Sequence, residues 1–361
     1  MRNISRPMAT NKKDLTKHHY ICFVAGKSGG HILPCITLAQ QTINKHPDYK
    51  VIFFSTDAKL DMQLLSGNPI IKNHLPLKLS KIPYGSLLKF PKFFLHIIYS
   101  FFKSIYYLRK MKPETVISTG GYVAIPVCFA AKLLGIPIEL YELNVIPGKT
   151  IKLLAPLATK MWICFEQSFQ YLPAQKCTLT SYPIKFIDKT KIMAKEDALR
   201  ELQFSLDKRT LLVLGGSQGS IFINNAIHHF IERNAGLHHS IQVIHQTGAL
   251  DSTDWHLFYA ERNIQALVFS YSDNIGHYYA AADLVICRSG AGTLAEIMFF
   301  NKQCITIPLE TKTTMHQIDN ANAAAHKCPE LITVLKQKEV ELNYPHLSAA
   351  IVEKLTSKKQ V

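Results

Sequence analysis

No C-x-x-C pair occurs anywhere in this chain, and its eight cysteines are scattered, with Cys22, Cys128, Cys164, Cys287 and Cys304 inside apolar runs. That pattern excludes a zinc site or a disulfide framework and predicts reduced, buried thiols in a cytosolic protein. No uninterrupted apolar run reaches the ~18 residues that a spanning helix needs. The first 19 residues carry Arg2, Arg6, Lys12, Lys13 and Lys17 and lack the apolar core of a signal peptide, so they read as a loose basic arm. Acid is missing from one long stretch: between Met62 and Pro113 there are nine Lys or Arg and no Asp or Glu. Across the chain 41 Lys and Arg oppose 26 Asp and Glu, a formal charge of +15. That balance favours anionic partners: nucleic acid, anionic lipid or phosphorylated substrates.

What is present is a globular composition, 47% hydrophobic and 19% charged, over 361 residues, enough for two domains. Apolar runs at Tyr20–Ala25, Val51–Ser55, Thr115–Thr119, Pro137–Glu142 and Lys160–Phe165 read as strands, with helical stretches such as His31–Asn44 and Ala124–Leu134 between them. The pattern then restarts at Thr210–Leu214, Ile241–Gln246, Ile264–Phe269, Asp283–Cys287 and Gln303–Pro308. Strand–helix alternation argues for parallel sheets covered on both faces. The fold class is therefore α/β, with two Rossmann-like doubly wound domains facing across a cleft. The expected division is a basic arm at 1–19, a first domain at 20–183, a second at 184–345, and a C-terminal helix or tail at 346–361. The boundary falls near Ser181-Tyr-Pro-Ile-Lys185, where Pro183 interrupts regular structure. Ligands on such sheets bind at the carboxyl ends of the strands.

Several small-residue turns join a strand directly to a helix. Arg288-Ser-Gly-Ala-Gly-Thr-Leu-Ala-Glu296 follows Leu284–Cys287 and opens the stretch Ala291–Phe300. Free N–H groups at such a helix start suit phosphate, and Glu296, about one turn further on, can reach a sugar diol. Together they suggest a nucleotide sugar, although an ordinary βα turn has the same composition. Gly215-Gly-Ser-Gln-Gly-Ser220 opens the second domain in the same way, with Ser217 and adjacent amides as phosphate donors. Ala25-Gly-Lys-Ser-Gly-Gly-His31 lacks G-x-G-x-x-G spacing, and Pro34 is expected in the first helical turn. His31 sits where the positive end of a helix dipole disfavours its protonated form, so it can stay neutral as a base or simply bond a nearby carbonyl. Thr119-Gly-Gly-Tyr122 and Glu142-Leu-Asn144 end two further strands, and Asn144 reads either as a hydrogen-bonding group for an acceptor hydroxyl or as a turn residue.

Within the acid-free stretch, Phe90–Leu108 is rich in aromatics interrupted by Lys92, His96 and Lys103. Rings interleaved with lysine suit the bilayer interface, and each adjacent Lys or Arg adds roughly 1 kcal/mol against anionic lipid. A core helix with a basic edge would read similarly. Nucleic acid fits less well, because the cations lie beside bulky apolar residues and no nucleic-acid motif is present.

Ser28-Gly-Gly-His31, Gly120-Gly-Tyr122, Gly215-Gly-Ser-Gln-Gly219, Asp283–Glu296 and His316-Gln-Ile-Asp-Asn320, in this order from about Tyr20 to Ala325, resemble the MurG family, the peripheral membrane glycosyltransferases of peptidoglycan synthesis. The resemblance implies a GT-B fold and an inverting transfer that needs no metal or other cofactor. Such a reaction joins GlcNAc from UDP-GlcNAc to the C4 hydroxyl of MurNAc on undecaprenyl-pyrophosphoryl-MurNAc-pentapeptide (lipid I), giving lipid II at the cytoplasmic face of the cell membrane. The implied partners are UDP-GlcNAc, lipid I and an anionic membrane surface, with no nucleic acid.

By the same resemblance His31 is the candidate base. Ser28, Gly29 and Gly30 lie near sugar and phosphates with Asn144 beside them, and Ser217 contacts the α-phosphate. Ser272 falls where backbone holds uracil. Ala291, Gly292, Thr293, Leu294, Ala295 and Glu296 wrap phosphates and ribose, and Gln317 with Asn320 reads the GlcNAc hydroxyls. The glycine turns hold no D-x-D pair, as metal independence requires. The chain departs from the family at Lys27 (usually Gly), at Tyr141 and Leu143 (usually His-Glu-Gln-Asn for Tyr141–Asn144), and at Ser181–Lys185 (usually Gly-Asn-Pro-Val-Arg). Lys185 keeps a charge near the nucleotide but loses the planar fork of arginine. Two other readings remain: a UDP-GlcNAc epimerase on the same fold, and a degenerate, non-catalytic UDP-sugar or membrane-binding module. In the family a terminal helix returns to the first domain; here either Ala349–Leu355 is its remnant or that helix is missing.

Overall fold

The computed structural model describes residues 19–26, 28–79, 90–186, 188–216, 219–249, 251–311 and 314–356. Residues 1–18 of the expected arm, Lys27 and Ser217 lie outside them, whereas His19 already belongs to the first strand.

The first sheet holds seven parallel strands: β1 (His19–Val24), β2 (Tyr49–Thr56), β3 (Asn73–Leu77), β4 (Val116–Ser118), β5 (Ile138–Glu142), β6 (Lys160–Ile163) and β7 (Cys177–Leu179), in the order β3-β2-β1-β4-β5-β6-β7. The second holds six: β8 (Arg209–Leu214), β9 (Ile241–Gln246), β10 (Ala266–Phe269), β11 (Leu284–Cys287), β12 (Gln303–Thr306) and β13 (Ile332–Val334), in the order β10-β9-β8-β11-β12-β13. Strand pairing is parallel throughout both sheets.

Why these runs form buried strands is visible in their side chains. Cys22 and Val24 enter one apolar cluster while Ile21 and Phe23 enter the cluster on the opposite face. Leu211 and Val213 likewise part from Leu212 and Leu214. A strand covered on both faces needs apolar residues at every position, which is why period-2 alternation is absent from the sequence.

Helices α1 (Gly29–Lys45), α2 (Lys59–Leu65), α3 (Phe90–Met111), α4 (Ala124–Leu133) and α5 (Lys149–Leu154) accompany the first sheet. The second carries α6 (Lys195–Glu201), α7 (Ile221–Arg233), α8 (Trp255–Ala260), α9 (Ile275–Ala281), α10 (Ala291–Phe300), α11 (His316–Lys327), α12 (Gln337–Leu342) and α13 (Tyr344–Thr356).

Two expectations change. Because α1 begins at Gly29, Pro34 lies inside the helix rather than in its first turn. Its missing N–H leaves the Gly30 carbonyl without the usual i−4 donor. The terminal helix α13 starts at Tyr344 and packs on α7, β11 and β12 of the second sheet, not on the first domain. Leu347, Ile351 and Leu355, four residues apart, place one apolar stripe in that core.

In each sheet the strand order reverses direction beside the first strand, between β1 and β4 and between β8 and β11. Loops leaving the carboxyl ends of those strand pairs diverge and open a crevice, the usual ligand position in this architecture. The turn after β1 carries Ser28 and leads into Gly29 and Gly30 at the start of α1, and the loop after β4 carries Thr119–Gly121. The loop after β8 carries Gly215, Gly216, Gly219 and Ser220, and the loop after β11 carries Arg288–Gly290. The glycine turns therefore fall at the two topological switch points.

Candidate active site

At the first switch point the two turns touch. A Cβ on Gly121 would lie 2.6 Å from the Gly26 carbonyl oxygen, and Gly121 holds φ +82°, so only glycine allows this approach. The contact brings Thr119 against α1. The His31 ring nitrogen Nδ1 is 2.9 Å from the Thr119 carbonyl oxygen, and the Thr119 hydroxyl donates back to the His31 carbonyl at 2.8 Å. A carbonyl only accepts, so Nδ1 carries the proton of the neutral ring and Nε2 carries the lone pair. The third residue of α1 is thereby held in the tautomer of a base. Ser28 caps α1 through its backbone, its carbonyl accepting from His31 and Ile32 at 3.1 Å, while its side chain makes no cap bond. The Gly29 and Gly30 amides precede the first of these bonds.

At the second switch point, the first intrahelical bond of α10 runs from the Leu294 amide to the Gly290 carbonyl at 3.0 Å. The amides of Ala291, Gly292 and Thr293 precede it, and they form the N-terminal cradle. Leu294 does not belong to that cradle: its amide is engaged and its side chain is fully buried in the core. The same geometry places Ala295 beyond the first free amides. Glu296, one turn in, accepts from the Tyr279 hydroxyl at 3.0 Å. Burial pushes its carboxyl above the ordinary range, and the Tyr279 bond and the Lys185 charge pull the other way.

Lys185 donates to the Asp273 carbonyl at 2.7 Å and so pins the 272–274 loop. Ser272 Oγ accepts from the Asn274 amide at 3.1 Å and lies 3.0 Å from the Tyr278 hydroxyl. Gln317 Oε1 accepts from the Leu309 amide at 3.0 Å.

The two halves meet at the carboxyl ends of their sheets. Asn320 of α11 donates through Nδ2 to Asn144 Oδ1 at 3.1 Å and accepts through Oδ1 from the Val145 amide at 2.9 Å. Asn320 is fully buried. In this structure its amide latches the second half to the loop after β5 rather than facing an open sugar site. Beneath the latch, buried Glu142 accepts from the Asn144 amide at 2.8 Å, the Asn144 Nδ2 at 3.2 Å and the Gly148 amide at 2.9 Å. Burial pushes the Glu142 carboxyl from 4.5 up to about 7, against the pull of those donors.

The sign of this shift gives a test. A folded pKa above the unfolded value means that the native chain holds a proton the unfolded chain has released. The stability of wild type over Glu142→Gln should therefore fall by roughly 3 kcal/mol as pH rises from 4.5 to about 7, then level off. Urea midpoints of both proteins across that range measure it, and parallel curves would contradict it.

Sequence reasoning did not single out Thr119 as the partner of the His31 ring, nor Tyr182, which leans on the start of α10. The Tyr182–Pro183 pair was the available signal for the second. For the first there was none, because residues 88 positions apart meet only in the folded chain.

Residues 21–163 match the N-terminal domain of glycosyltransferase family 28, and residues 210–360 match its C-terminal domain. A UDP-N-acetylglucosamine–N-acetylmuramyl-(pentapeptide) pyrophosphoryl-undecaprenol N-acetylglucosamine transferase of Myxococcus xanthus is 34% identical, over 84% of this chain and 77% of the relative. The chain belongs to the MurG family of glycosyltransferases. A relative with the same name from Protochlamydia amoebophila is 34% identical over 82% of this chain and 78% of its own.

The crystal structure of Acinetobacter baumannii MurG superposes with a TM-score of 0.70 at 22% identity, covering 93% of this chain and 91% of that one. A UDP-N-acetylglucosamine 2-epimerase superposes with a TM-score of 0.63 at 10% identity, covering 94% and 88%. The architecture is thus common to both chemistries, and membership of the MurG family favours the transferase over the epimerase and over a non-catalytic module.

Proposed function

We propose that this chain transfers GlcNAc from UDP-GlcNAc to the C4 hydroxyl of MurNAc in lipid I, with inversion and without a metal ion, while bound peripherally at the cytoplasmic face of the membrane. The observation that carries the reading is the paired switch points. One holds a histidine with Nε2 as its acceptor nitrogen, and the other holds three helix-start amides with a carboxylate one turn behind.

In the proposed reaction the acceptor hydroxyl gives its proton to His31 Nε2, its oxygen bonds to the anomeric carbon, and the bond from that carbon to UDP breaks. Negative charge grows on the departing diphosphate. The amides of Ala291, Gly292 and Thr293 point at that charge without having to reorganise, the arrangement that lowers such barriers most. Ser28, Gly29 and Gly30 border the sugar and phosphates from the other side, and Ser217, outside the described residues, is assigned to the α-phosphate. The 272–274 backbone, pinned by Lys185, takes uracil, and Glu296 takes the ribose hydroxyls. Gln317, Asn144 and Asn320 surround GlcNAc, so the Asn144–Asn320 latch must loosen or share its hydrogen bonds when sugar enters.

The acceptor's tail stays in the bilayer, and α3 supplies a surface for it. Phe94, Leu95, Ile98, Tyr99, Phe102 and Tyr106 are 47–65% exposed and fall on one helical face, while Ser100, Ser104 and Leu108 on the other side are buried. The small serines allow a close approach to α4, against which α3 packs. An outward apolar face beside a basic stretch fits a lipid interface better than nucleic acid or a core helix. Among the described residues no helix is long and apolar enough to cross a membrane.

Purified chain mixed with UDP-GlcNAc and a short-chain lipid I analogue in excess chelator should release UDP in step with disaccharide formation. UDP-GlcNAc alone should yield no 2-epimer. Epimer without acceptor would reverse the assignment.

A further inference from the structure

Tyr182 lies on the connection between the two sheets, past the end of β7 and three residues before Lys185. The following proline holds it extended, and Pro183 is buried, so the tyrosine is carried on a fixed strap. Its ring rests on the start of α10: a Cβ on Gly292 would lie 3.3 Å from the Tyr182 hydroxyl oxygen and 3.5 Å from two of its ring carbons. A side chain at Gly292 would press on the Tyr182 ring and shift it by a few tenths of an ångström. The Tyr182 hydroxyl has no hydrogen-bond partner among the described residues. Burial, together with the nearby Cys164, Glu296 and Glu142, pushes the phenol well above the ordinary tyrosine range, so it stays a protonated donor.

The half-buried residue keeps this hydroxyl open to solvent beside the first turn of α10, where anionic oxygens are expected, so it is free to donate to one. The nearest carboxylate on the helix, Glu296, is already engaged by Tyr279. We propose that the Tyr182 hydroxyl is a further donor-binding group, giving its hydrogen bond to a phosphate oxygen of the sugar nucleotide at the start of α10. The inference rests on the nucleotide reading above and deepens it. The chain has tyrosine where the family usually has asparagine, so the contact supplements the helix amides with one charge-assisted bond of this chain's own.

The competing role for the same ring is a plug over the amide cradle. Titrating UDP and uridine into wild type, Tyr182→Phe and Tyr182→Ala by calorimetry separates the two. A hydrogen bond to phosphate predicts that Tyr182→Phe weakens UDP by about 10- to 100-fold and leaves uridine unchanged, with Tyr182→Ala at least as weak for UDP. Unchanged UDP affinity in Tyr182→Phe, or tighter UDP binding in Tyr182→Ala, would overturn the proposal while leaving the transferase reading intact. Failure of the wild type itself to bind UDP would remove the nucleotide reading and this inference with it.

Discussion

Replacing His31 with alanine is expected to lower kcat by about 100- to 10,000-fold, the usual contribution of a positioned general base. UDP-GlcNAc binding should remain largely intact. The expectation follows from how the ring is held. Its Nδ1 faces the Thr119 carbonyl at 2.9 Å, so the chain fixes the orientation and the tautomer before substrate arrives. The nucleotide's assigned contacts lie mainly on the second half, around α10 and the 272–274 loop, and do not need an imidazole. Steady-state kinetics with a lipid I analogue, paired with UDP-GlcNAc titration, measures both quantities. If turnover and nucleotide affinity fall together, His31 is part of the donor site and not the base. If only the acceptor KM rises, the ring orients the acceptor hydroxyl without taking its proton.

The second large effect is expected at the membrane. Changing Phe94, Leu95 and Phe102 together to serine should release the chain from vesicles containing anionic lipid, weakening binding by about 1,000-fold. Three large apolar side chains, each worth ~1.5 kcal/mol or more on leaving water, add to that scale. All three are at least 60% exposed, so their loss removes little packing beyond the Phe102 edge contact with Phe101, and folding should be largely unaffected. Turnover with a water-soluble acceptor analogue should be kept, while turnover on membrane-embedded acceptor should fall. Raising salt should weaken the wild type further through the surrounding lysines, because exposed charge pairs are screened. Unaltered flotation of the triple variant with vesicles would show that α3 is not the lipid-binding surface.

The runs that read clearly as strands are those buried on two faces. Val51–Ser55, Thr210–Leu214 and Ile241–Gln246 announce themselves through a high density of β-branched, aliphatic and aromatic residues, and the structure extends them by at most a few positions. Strands β3, β7 and β13 were not legible, and each lies at the edge of its sheet. An edge strand pairs on one side only. It can be short, as Cys177–Leu179 is, or carry a proline, as Asn73–Leu77 does at Pro76. Their sequences therefore lack the apolar density that marks a central strand.

The start of α10 was legible for a different reason. Ala291–Phe300 follows a glycine turn closely enough that both limits could be placed from composition, and the observed helix has those limits. Within it, composition did not distinguish residues that offer free amides from Leu294, because that depends on where the first intrahelical bond closes.

The amino-acid order by itself determined the repeated strand–helix pattern, the small-residue turns after Tyr20–Ala25, Thr115–Thr119, Thr210–Leu214 and Asp283–Cys287, and the acid-free aromatic stretch. Each is a local property: burial on two faces demands continuous apolar residues, tight strand-to-helix turns demand glycine, and rings interleaved with cations are read residue by residue. Only the tertiary structure decided that Thr119 orients His31, that Asn320 locks onto Asn144 from 176 positions away, that the last helix closes the second sheet, and that Tyr182 points an unmatched hydroxyl at α10. Those are pairings between distant segments, and they exist only once both sheets have formed and brought their carboxyl ends together.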